Sequence, residues 1–408
     1  MQTGKDRETI PIIVVGAGPV GMVGALALRH HGLPAMVVEA DPFERLRPGS
    51  RAIFMHRASL QALDHIAPGL AQRLAREGLV WPEKRTLFRG KEVYKKVYPP
   101  PTPGQIPPFT SLPQVVMERC LFEACRAAGV EFSWNRRIQH VEVDADRVRV
   151  ADGLGHSWES DYVIGADGAQ SLVRHQVGIA MEGTRSPNTF IVVDVKENLE
   201  NPLPVARIFH YEHPAVGGRN VLLVPFAGGW RIDLQLHEGD LVDEFSGPDG
   251  VRHWLSLVMD QDYAERITWV SSYQFLQVVA LAFTDPGHRV LLVGEAAHLF
   301  APFGARGLNS GIMDAISAAS AISEARHATR RQDPSAFIQR FAEERLRAAR
   351  YNRDAAGMAL EHIQGTSPGM RLKRYIGATL APAWSDMGRW LDEGPYGPRS
   401  GPSAGTKY

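Results

Sequence analysis

The stretch Ile12-Ile13-Val14-Val15-Gly16-Ala17-Gly18-Pro19-Val20-Gly21, with Glu39 downstream of it, decides the fold. Four β-branched residues in a row, without polar alternation, read as a short strand buried on both faces. The three glycines then have separate uses. Gly16 permits the tight turn out of the strand. Gly18 lets backbone approach a pyrophosphate without a Cβ in the way. Gly21 lets helix and strand pack closely. A helix from about Pro19 to His31, stopped at Gly32, presents free N–H groups and a partial positive charge to the phosphates. Glu39 closes the next strand, Ala35-Met36-Val37-Val38-Glu39. It falls close to the expected spacing of about 20 residues, where a carboxylate accepts from ribose hydroxyls. Ala40 and Asp41 follow with no adjacent arginine, which disfavours a 2′-phosphate. The turn therefore reads as a site for FAD or NAD rather than NADP. The competing reading is a glycine-rich packing turn between helix and sheet.

The uncharged run Ile10–Leu28 approaches the length of a membrane span, but Pro11, Gly16, Gly18, Pro19, Gly21 and Gly24 fall inside it. Strand, turn and helix fit it better. The polar start is unlike a secretion signal, so a cytoplasmic protein with no stable membrane insertion is expected. The 45 basic residues balance the 45 acidic ones, which gives no electrostatic ground for a nucleic-acid partner. Cys120 and Cys125 are the two cysteines. Their spacing excludes a CxxC site and they are too few for a zinc cage, so buried thiols and no metal are expected. With 408 residues, 44% of them hydrophobic, two or three domains of about 150 residues are expected.

Residues 58–76 and 114–128 read as helices. Residues 94–113 are rich in proline and read as a loop or excursion. Alternating runs near 138–163 suggest an antiparallel meander that closes with Tyr162-Val163-Ile164. Residues 181–284 carry strand-like runs at Phe190–Val195, Arg207–Tyr211, Asn220–Val224, Trp230–Leu236 and Thr268–Val279, which read as a sheet-rich insertion. Arg289–Val293 returns as a buried strand. Helices follow from about Gly307 to Arg326 and over 334–362. The glycine- and proline-rich end from Gly394 to Gly405 is expected to fray.

Two further glycine motifs accompany the first. One is Asp161-Tyr162-Val163-Ile164-Gly165-Ala166-Asp167-Gly168, continuing to Arg174. The other is Arg289-Val290-Leu291-Leu292-Val293-Gly294-Glu295-Ala296-Ala297-His298, continuing through Ala301-Pro302-Phe303-Gly304-Ala305-Arg306-Gly307-Leu308-Asn309-Ser310-Gly311 to Asp314. With these three motifs in this order, the chain resembles the group A flavoprotein monooxygenases of the para-hydroxybenzoate hydroxylase type over roughly residues 10–365. Pro302–Gly311 and Val224–Arg231 look most like the phenol, 3-hydroxyphenylpropionate and polyketide hydroxylases.

The resemblance implies an α/β fold: a Rossmann-type FAD-binding domain built from discontinuous segments, with an inserted β-sheet substrate domain. The expected boundaries are 1–75, 114–180 and 285–365 for the FAD domain, 76–113 for an excursion toward the substrate domain, 181–284 for the substrate domain, and 366–408 for a C-terminal extension. Gly16, Gly18, Gly21 and Glu39 would hold the ADP half of FAD. Gly165, Asp167 and Gly168 would lie near the pyrophosphate and the nicotinamide path. Gly294 and Glu295 would serve the ribityl chain, with Glu295 standing where the family usually has aspartate. Pro302 and Gly307 would face the isoalloxazine, and the amides of Leu308 and Asn309 would meet its N1–C2=O edge. Arg51, Gln114 and Arg119 match positions that touch the cofactor. Ala301-Pro302 stands where the family often has two prolines. The thioredoxin-like C-terminal domain of many relatives is expected to be absent, with Gly394-Pro395-Tyr396-Gly397-Pro398 as the remnant of its linker.

No residue is assigned as catalytic; Pro302 and Arg306 are candidates through their nearness to the flavin. Arg306 fits attraction of a substrate anion or nicotinamide phosphates, and equally a surface ion pair. His298 fits a base, or more readily a histidine that orients its loop. His210 and Tyr211 on one strand, and Arg231 and Asp233 on one face of the next, are substrate candidates against a default of core or solvent. No Trp-x-Trp pair and no second GxGxxG occur. That argues against a halogenase and against a separate nicotinamide domain, so NADH or NADPH would bind transiently. The implied reaction inserts one atom of O₂ into an aromatic or polyketide-like small molecule through a flavin C4a-hydroperoxide. Epoxidation, Baeyer–Villiger oxygenation, an oxygen-independent flavin reductase and an FAD-binding chaperone or sensor stay open. Monomer and homodimer also stay open.

Overall fold

The computed structural model describes residues 11–44, 52–102 and 104–398. Ile12–Val15 is fully buried and sits at the centre of a five-stranded parallel sheet. Val163–Gly165 and then Val290–Leu292 lie on one side of it, and Ala35–Val38 and then Glu131–Ser133 on the other. The helices Pro19–His30, Gln114–Ala127 and Arg306–Arg326 pack on this sheet in one continuous apolar core. The expected 58–76 helix is two, Arg57–Ile66 and Leu70–Glu77, because Pro68 and left-handed Gly69 interrupt it.

The meander is Ile138–Val143, Val148–Asp152 and Ser157–Ser160. Val163–Gly165 does not close it. That strand crosses into the parallel sheet instead, because its apolar side chains are buried on both faces there.

The second sheet has eight strands. From one edge they are His298–Leu299, Ile267–Ala280, Met181–Lys196, Gly229–Gln235, Arg219–Phe226, Ala206–His213, Glu83–Phe88 and Lys91–Val97. Much of the proline-rich region read as a loop is therefore regular. Lys91–Val97 forms a hairpin with Glu83–Phe88, and Phe109–Pro113 pairs with Ala52–His56.

The period of two divides the large sheet into unlike faces. Val193, Val221, Leu223, Ile232 and Leu234 face an apolar cluster under the helix Pro248–Val258. The opposite face carries Phe209 and Tyr211 beneath the helix Pro334–Gln364 and Leu391 of the helix Ser385–Glu393. It also carries a patch of charged side chains, and the candidate site opens over that patch.

The C-terminal region is not frayed as far as it is described. Pro368–Leu380 and Ser385–Glu393 are helices, and Asp392 is fully buried. Among the described residues no helix is long and apolar enough to cross a membrane, and no group of His, Cys, Asp or Glu is arranged to hold a metal ion. Both cysteines are free and buried.

Candidate active site

At the first glycine turn the backbone itself demands two of the glycines. Gly16 has φ +106°, and a Cβ there would stand 2.4 Å from the Ala166 carbonyl oxygen. A Cβ on Gly21 would stand 2.0 Å from the carbonyl oxygen of Gly16. Gly18 differs: a Cβ there would meet no protein atom within 4 Å. It is the N-cap of Pro19–His30, which has no side-chain cap. The cradle in front of Gly18 is thus open and lined by uncapped helix N–H groups, which suits a phosphate. Glu39 is buried beside it. Its carboxylate accepts from the Ala17 amide at 2.5 Å and from the Asp41 amide at 3.1 Å.

The second motif abuts the first through Ala166, whose amide donates to the Val15 carbonyl at 2.9 Å. The Asp167 carboxylate accepts from the Ser171 hydroxyl and from the Val173 amide. It therefore holds the start of the short helix Leu172–Gln176, and burial raises its carboxyl above the usual range. Gly168 is left-handed at φ +80° and opens to space.

In the third motif Gly294 packs its backbone against Val20, and Glu295 is exposed into a cavity of about 330 Å³. Among the described residues no group pairs with its carboxylate. Pro302, Gly307 and Leu308 share that wall. Ala305 sits at φ +52°, a costly conformation for alanine. It begins the 21-residue helix Arg306–Arg326 with no side-chain cap, so the first-turn amides face the cavity wall unpaired by any side chain. The Asn309 side chain turns away and pins the strand Ala52–His56. It accepts from the His56 amide at 3.0 Å and donates to the Phe54 carbonyl at 2.9 Å.

Behind this wall, His298 meets the Asp314 carboxylate at 2.7 Å, and Arg345 donates to its other oxygen at 2.7 Å. All three are buried. Burial pulls the Asp314 carboxyl up, but Arg345 and His298 outweigh it and the net shift is downward. His298 is thus a loop-orienting residue, stacked on Phe300 with ring centroids 4.5 Å apart.

The opposite wall is the charged face of the large sheet. Arg231 and Asp233 both line the cavity, with Val224 and Leu222 beside them and Arg207 one strand further. Arg231 donates to both oxygens of fully buried Asp194 at 3.0 and 3.2 Å, and to the Ala52 carbonyl at 2.9 Å. Asp233 has no such partner: its Oδ1 is buried without a hydrogen bond. Burial, reinforced by Asp194 and only partly opposed by Arg231, raises its carboxyl to about 7.

Other anticipated residues lie elsewhere. Tyr211 is fully buried and donates to the Leu391 carbonyl at 2.8 Å. His210 points to the opposite face, beside His213, where burial lowers it to about 4. Neither lines the cavity: Tyr211 shares the face of Arg207 but lies under Leu391, and strand alternation sends His210 to the other face. Arg119 is exposed on its helix and pairs with Glu77 at 3.0 Å, whereas Gln114 does reach the cavity. Arg306 is neither a surface ion pair nor free to attract an anion. It is buried and donates to Asn352 at 2.9 Å, to the Tyr396 carbonyl at 2.9 Å and to the Pro398 carbonyl at 2.6 Å. It fastens Gly394–Pro398, the stretch expected to fray. Arg51 lies outside the described residues.

Sequence reasoning missed a buried cluster beside the cavity. Lys84, Thr86 and Arg207 surround Asp392, and Lys84 and Arg207 also lie near the Tyr396 ring. The available signal was Lys84 alternating with Thr86 and Phe88, and Arg207 alternating with Phe209 and Tyr211, each a lone charge on its strand face. A second cavity of about 350 Å³ adjoins the first and shares Phe54, His56, Trp81, Gly304 and Tyr396 with it.

Residues 9–356 match the family model described as FAD binding domain. The chain belongs to that family. Its cofactor is FAD, and the open cradle at Gly18, the buried Glu39 and the unpaired Glu295 fit that group. The family chain is 26% identical over 386 residues to a 3-(3-hydroxy-phenyl)propionate/3-hydroxycinnamic acid hydroxylase of Mycolicibacterium smegmatis, covering 90% of this chain and 66% of that one. It spans about half to two thirds of the length of such hydroxylases. The p-nitrophenol 4-monooxygenase of Pseudomonas putida shares its fold with a TM-score of 0.76 at 20% identity, over 96% of this chain and 99% of that one. The flavin-dependent monooxygenase PieE, solved with FAD and substrate, superposes with a TM-score of 0.73 at 21% identity, over 95% and 72%.

Proposed function

We propose that this chain is an NAD(P)H-consuming, FAD-dependent monooxygenase that hydroxylates an aromatic or polyketide-like small molecule. The observation that carries the reading is the cavity between two unlike walls. One wall is the uncapped start of the Arg306–Arg326 helix with Pro302 and Glu295; the other is the charged sheet face. FAD, when bound, takes a hydride from NAD(P)H and passes one atom of O₂ to the substrate.

The chain's own residues bind, orient and shield. The amides of Gly18 and Val20 take the pyrophosphate, and Glu39 takes the adenosine ribose. Asp167 shapes the loop that brings Gly168 to the phosphates. Glu295, one methylene longer than the family's usual aspartate, accepts from the ribityl hydroxyls. The Leu308 and Asn309 amides, at the positive end of the helix, stabilise negative charge on the flavin N1–C2=O edge. Residues 1–75, 114–180 and 285–365 serve as the FAD-binding part and 181–284 as the substrate part. The proximity of Phe54, Trp81 and Phe303 keeps the space between the walls largely apolar, which excludes water.

The test is turnover under labelled dioxygen with a panel of phenols. One labelled atom should enter the product and the other should enter water. NAD(P)H oxidation should be slow alone and accelerate with substrate. Turnover that persists without oxygen would replace this reading with a flavin reductase.

A further inference from the structure

We propose that Asp233 is the residue that removes the proton from the substrate's hydroxyl group, and so makes a phenol or enol the substrate class of this site. The inference rests on the monooxygenase reading above and goes one step deeper into the same cavity.

Four observations carry it. Asp233 lies on the sheet wall of the cavity, opposite the wall formed by Pro302, Gly307 and Leu308. It is 8% exposed, and among the described residues its Oδ1 has no hydrogen-bond partner. A buried carboxyl without a partner costs stability and is seldom kept in a core. The nearest cation does not neutralise it: Arg231 spends Nε and Nη2 on Asp194 and Nη1 on the Ala52 carbonyl.

The surroundings keep the proton exchangeable. On the neighbouring strand Asp194 faces it with a negative charge, and on its own strand Arg231 faces it with a positive one. The next strand contributes only apolar Leu222 and Val224, and the strand beyond contributes Arg207, which is turned to Asp392. Across the cavity stands Glu295. Burial leads this balance and raises the carboxyl to about 7, a value suited to taking a proton at neutral pH.

The step is a proton transfer alone. The substrate O–H bond breaks, the proton goes to an Asp233 oxygen, and the electron pair stays on the substrate oxygen. There it is delocalised onto the ring carbons ortho and para to it. Those carbons become more nucleophilic toward the electrophilic oxygen that FAD, NAD(P)H and O₂ supply. The oxygenated ring carbon then loses its own hydrogen as a proton, which leaves in the water that carries away the second atom of O₂, and as aromaticity returns Asp233 gives its proton back to the substrate oxygen. The carboxylate is then restored for the next cycle. No net charge is created in the cavity, because one anion replaces another.

The test compares the FAD-loaded wild type with Asp233→Asn and Asp233→Glu, using phenol, 3-hydroxyphenylpropionate and 4-nitrophenol as probes. For a weakly acidic phenol, Asp233→Asn should lower kcat by about 10²-fold or more, with KM changed only a few-fold. With 4-nitrophenol at pH 9, where the probe is already ionised, the loss should shrink below about tenfold. The rise of kcat/KM near pH 7 should disappear in Asp233→Asn, and Asp233→Glu should restore part of the rate. Equal losses on weakly and strongly acidic phenols, or an unchanged pH profile, would overturn the assignment, since a purely structural role predicts both. If the wild type hydroxylates none of the probes yet reduces its flavin, the monooxygenase reading falls and the inference falls with it. If it hydroxylates them and Asp233→Asn matches it, the inference alone falls.

Discussion

Replacing Arg231 with methionine isolates the energetics of the charged sheet face. Asp194 is fully buried, and among the described residues its carboxylate is held only by the two bonds from Arg231. Removing one partner of a buried pair strands the other, at a cost of about 3–5 kcal/mol. At about 2.1 cal/mol/K per residue over the whole chain, 4 kcal/mol corresponds to a fall in Tm of about 5 °C. The fall is larger if the sheet unfolds as a unit of its own. The pH dependence follows from the sign of the shift. Burial holds the Asp194 carboxyl above its usual range despite Arg231, so the folded state binds this proton more tightly than the unfolded chain. That contribution is greatest in acid and is lost as pH rises through the raised value. Without Arg231 the imbalance grows. The deficit of Arg231→Met should therefore be largest at pH 8 and should shrink as the medium is acidified and Asp194 takes up its proton. In Arg231→Met/Asp194→Leu most of the loss should return, because an apolar pair of similar volume replaces a buried ionic one. Thermal and urea unfolding of the wild type, Arg231→Met and the double variant at pH 8 and pH 5 makes the measurement. A deficit that ignores pH, or a double variant as unstable as the single, would refute the reasoning.

Gly18→Val should abolish FAD binding while leaving apo-protein stability nearly unchanged, since its Cβ meets no protein atom; Gly21→Val should fail to fold, since its Cβ meets the Gly16 carbonyl at 2.0 Å. Titrating FAD into apo-protein, with unfolding curves alongside, separates the two. Glu295→Ala should weaken FAD by about 0.5–1.5 kcal/mol, and by up to ~3 if the carboxylate is charged, which is less than Gly18→Val. Asp314→Asn should cost about 3–5 kcal/mol at neutral pH through the loss of the Arg345 and His298 pairings. Because the Asp314 carboxyl is lowered on folding, the wild type should lose that advantage as pH falls through the depressed value, so the two unfolding curves should converge in acid.

The FAD-binding half was legible because its determinants are local. A β-branched run, three glycines and one acid at fixed spacing are set by backbone geometry, and Gly16 and Gly21 carry contacts that exclude any Cβ. The strand runs of the large sheet were legible by alternation, and Arg231 and Asp233 were correctly put on one face. The rest depends on distant partners. Lys91–Val97 gave no signal of its own because it is a largely exposed edge strand, ordered by pairing with Glu83–Phe88. Arg306 reads as a surface or ligand arginine until the Tyr396 and Pro398 carbonyls, some ninety residues on, are seen to accept from it. Tyr211 differs from Arg207 only in lying under the helix that contains Leu391. One strand face thus runs from cavity wall to closed core within four residues, and a period of two cannot see where the roof ends.

The unlike faces of the large sheet argue for the position of the substrate independently of any relative. On the face under Pro248–Val258 the inward side chains of the three central strands are apolar. On the other face Asp194 and Asp233 are buried and Arg231 is half-buried on these strands, and buried Arg207 lies one strand beyond. An apolar replacement of such groups is often neutral or stabilising, so stability alone does not account for them. Two of the four are fully satisfied by each other. Asp233 retains a bare Oδ1 and Arg207 a bare Nη1, and both residues line the same cavity. Arg207 has the Asp392 carboxylate 3.6 Å away, so among the described residues the charge left without a side-chain hydrogen bond or ion pair is that of Asp233. Under the proposed function, an all-apolar substrate would leave the Asp233 carboxyl uncompensated. A substrate that brings a hydroxyl to Asp233 would compensate it, which is the substrate chemistry proposed above.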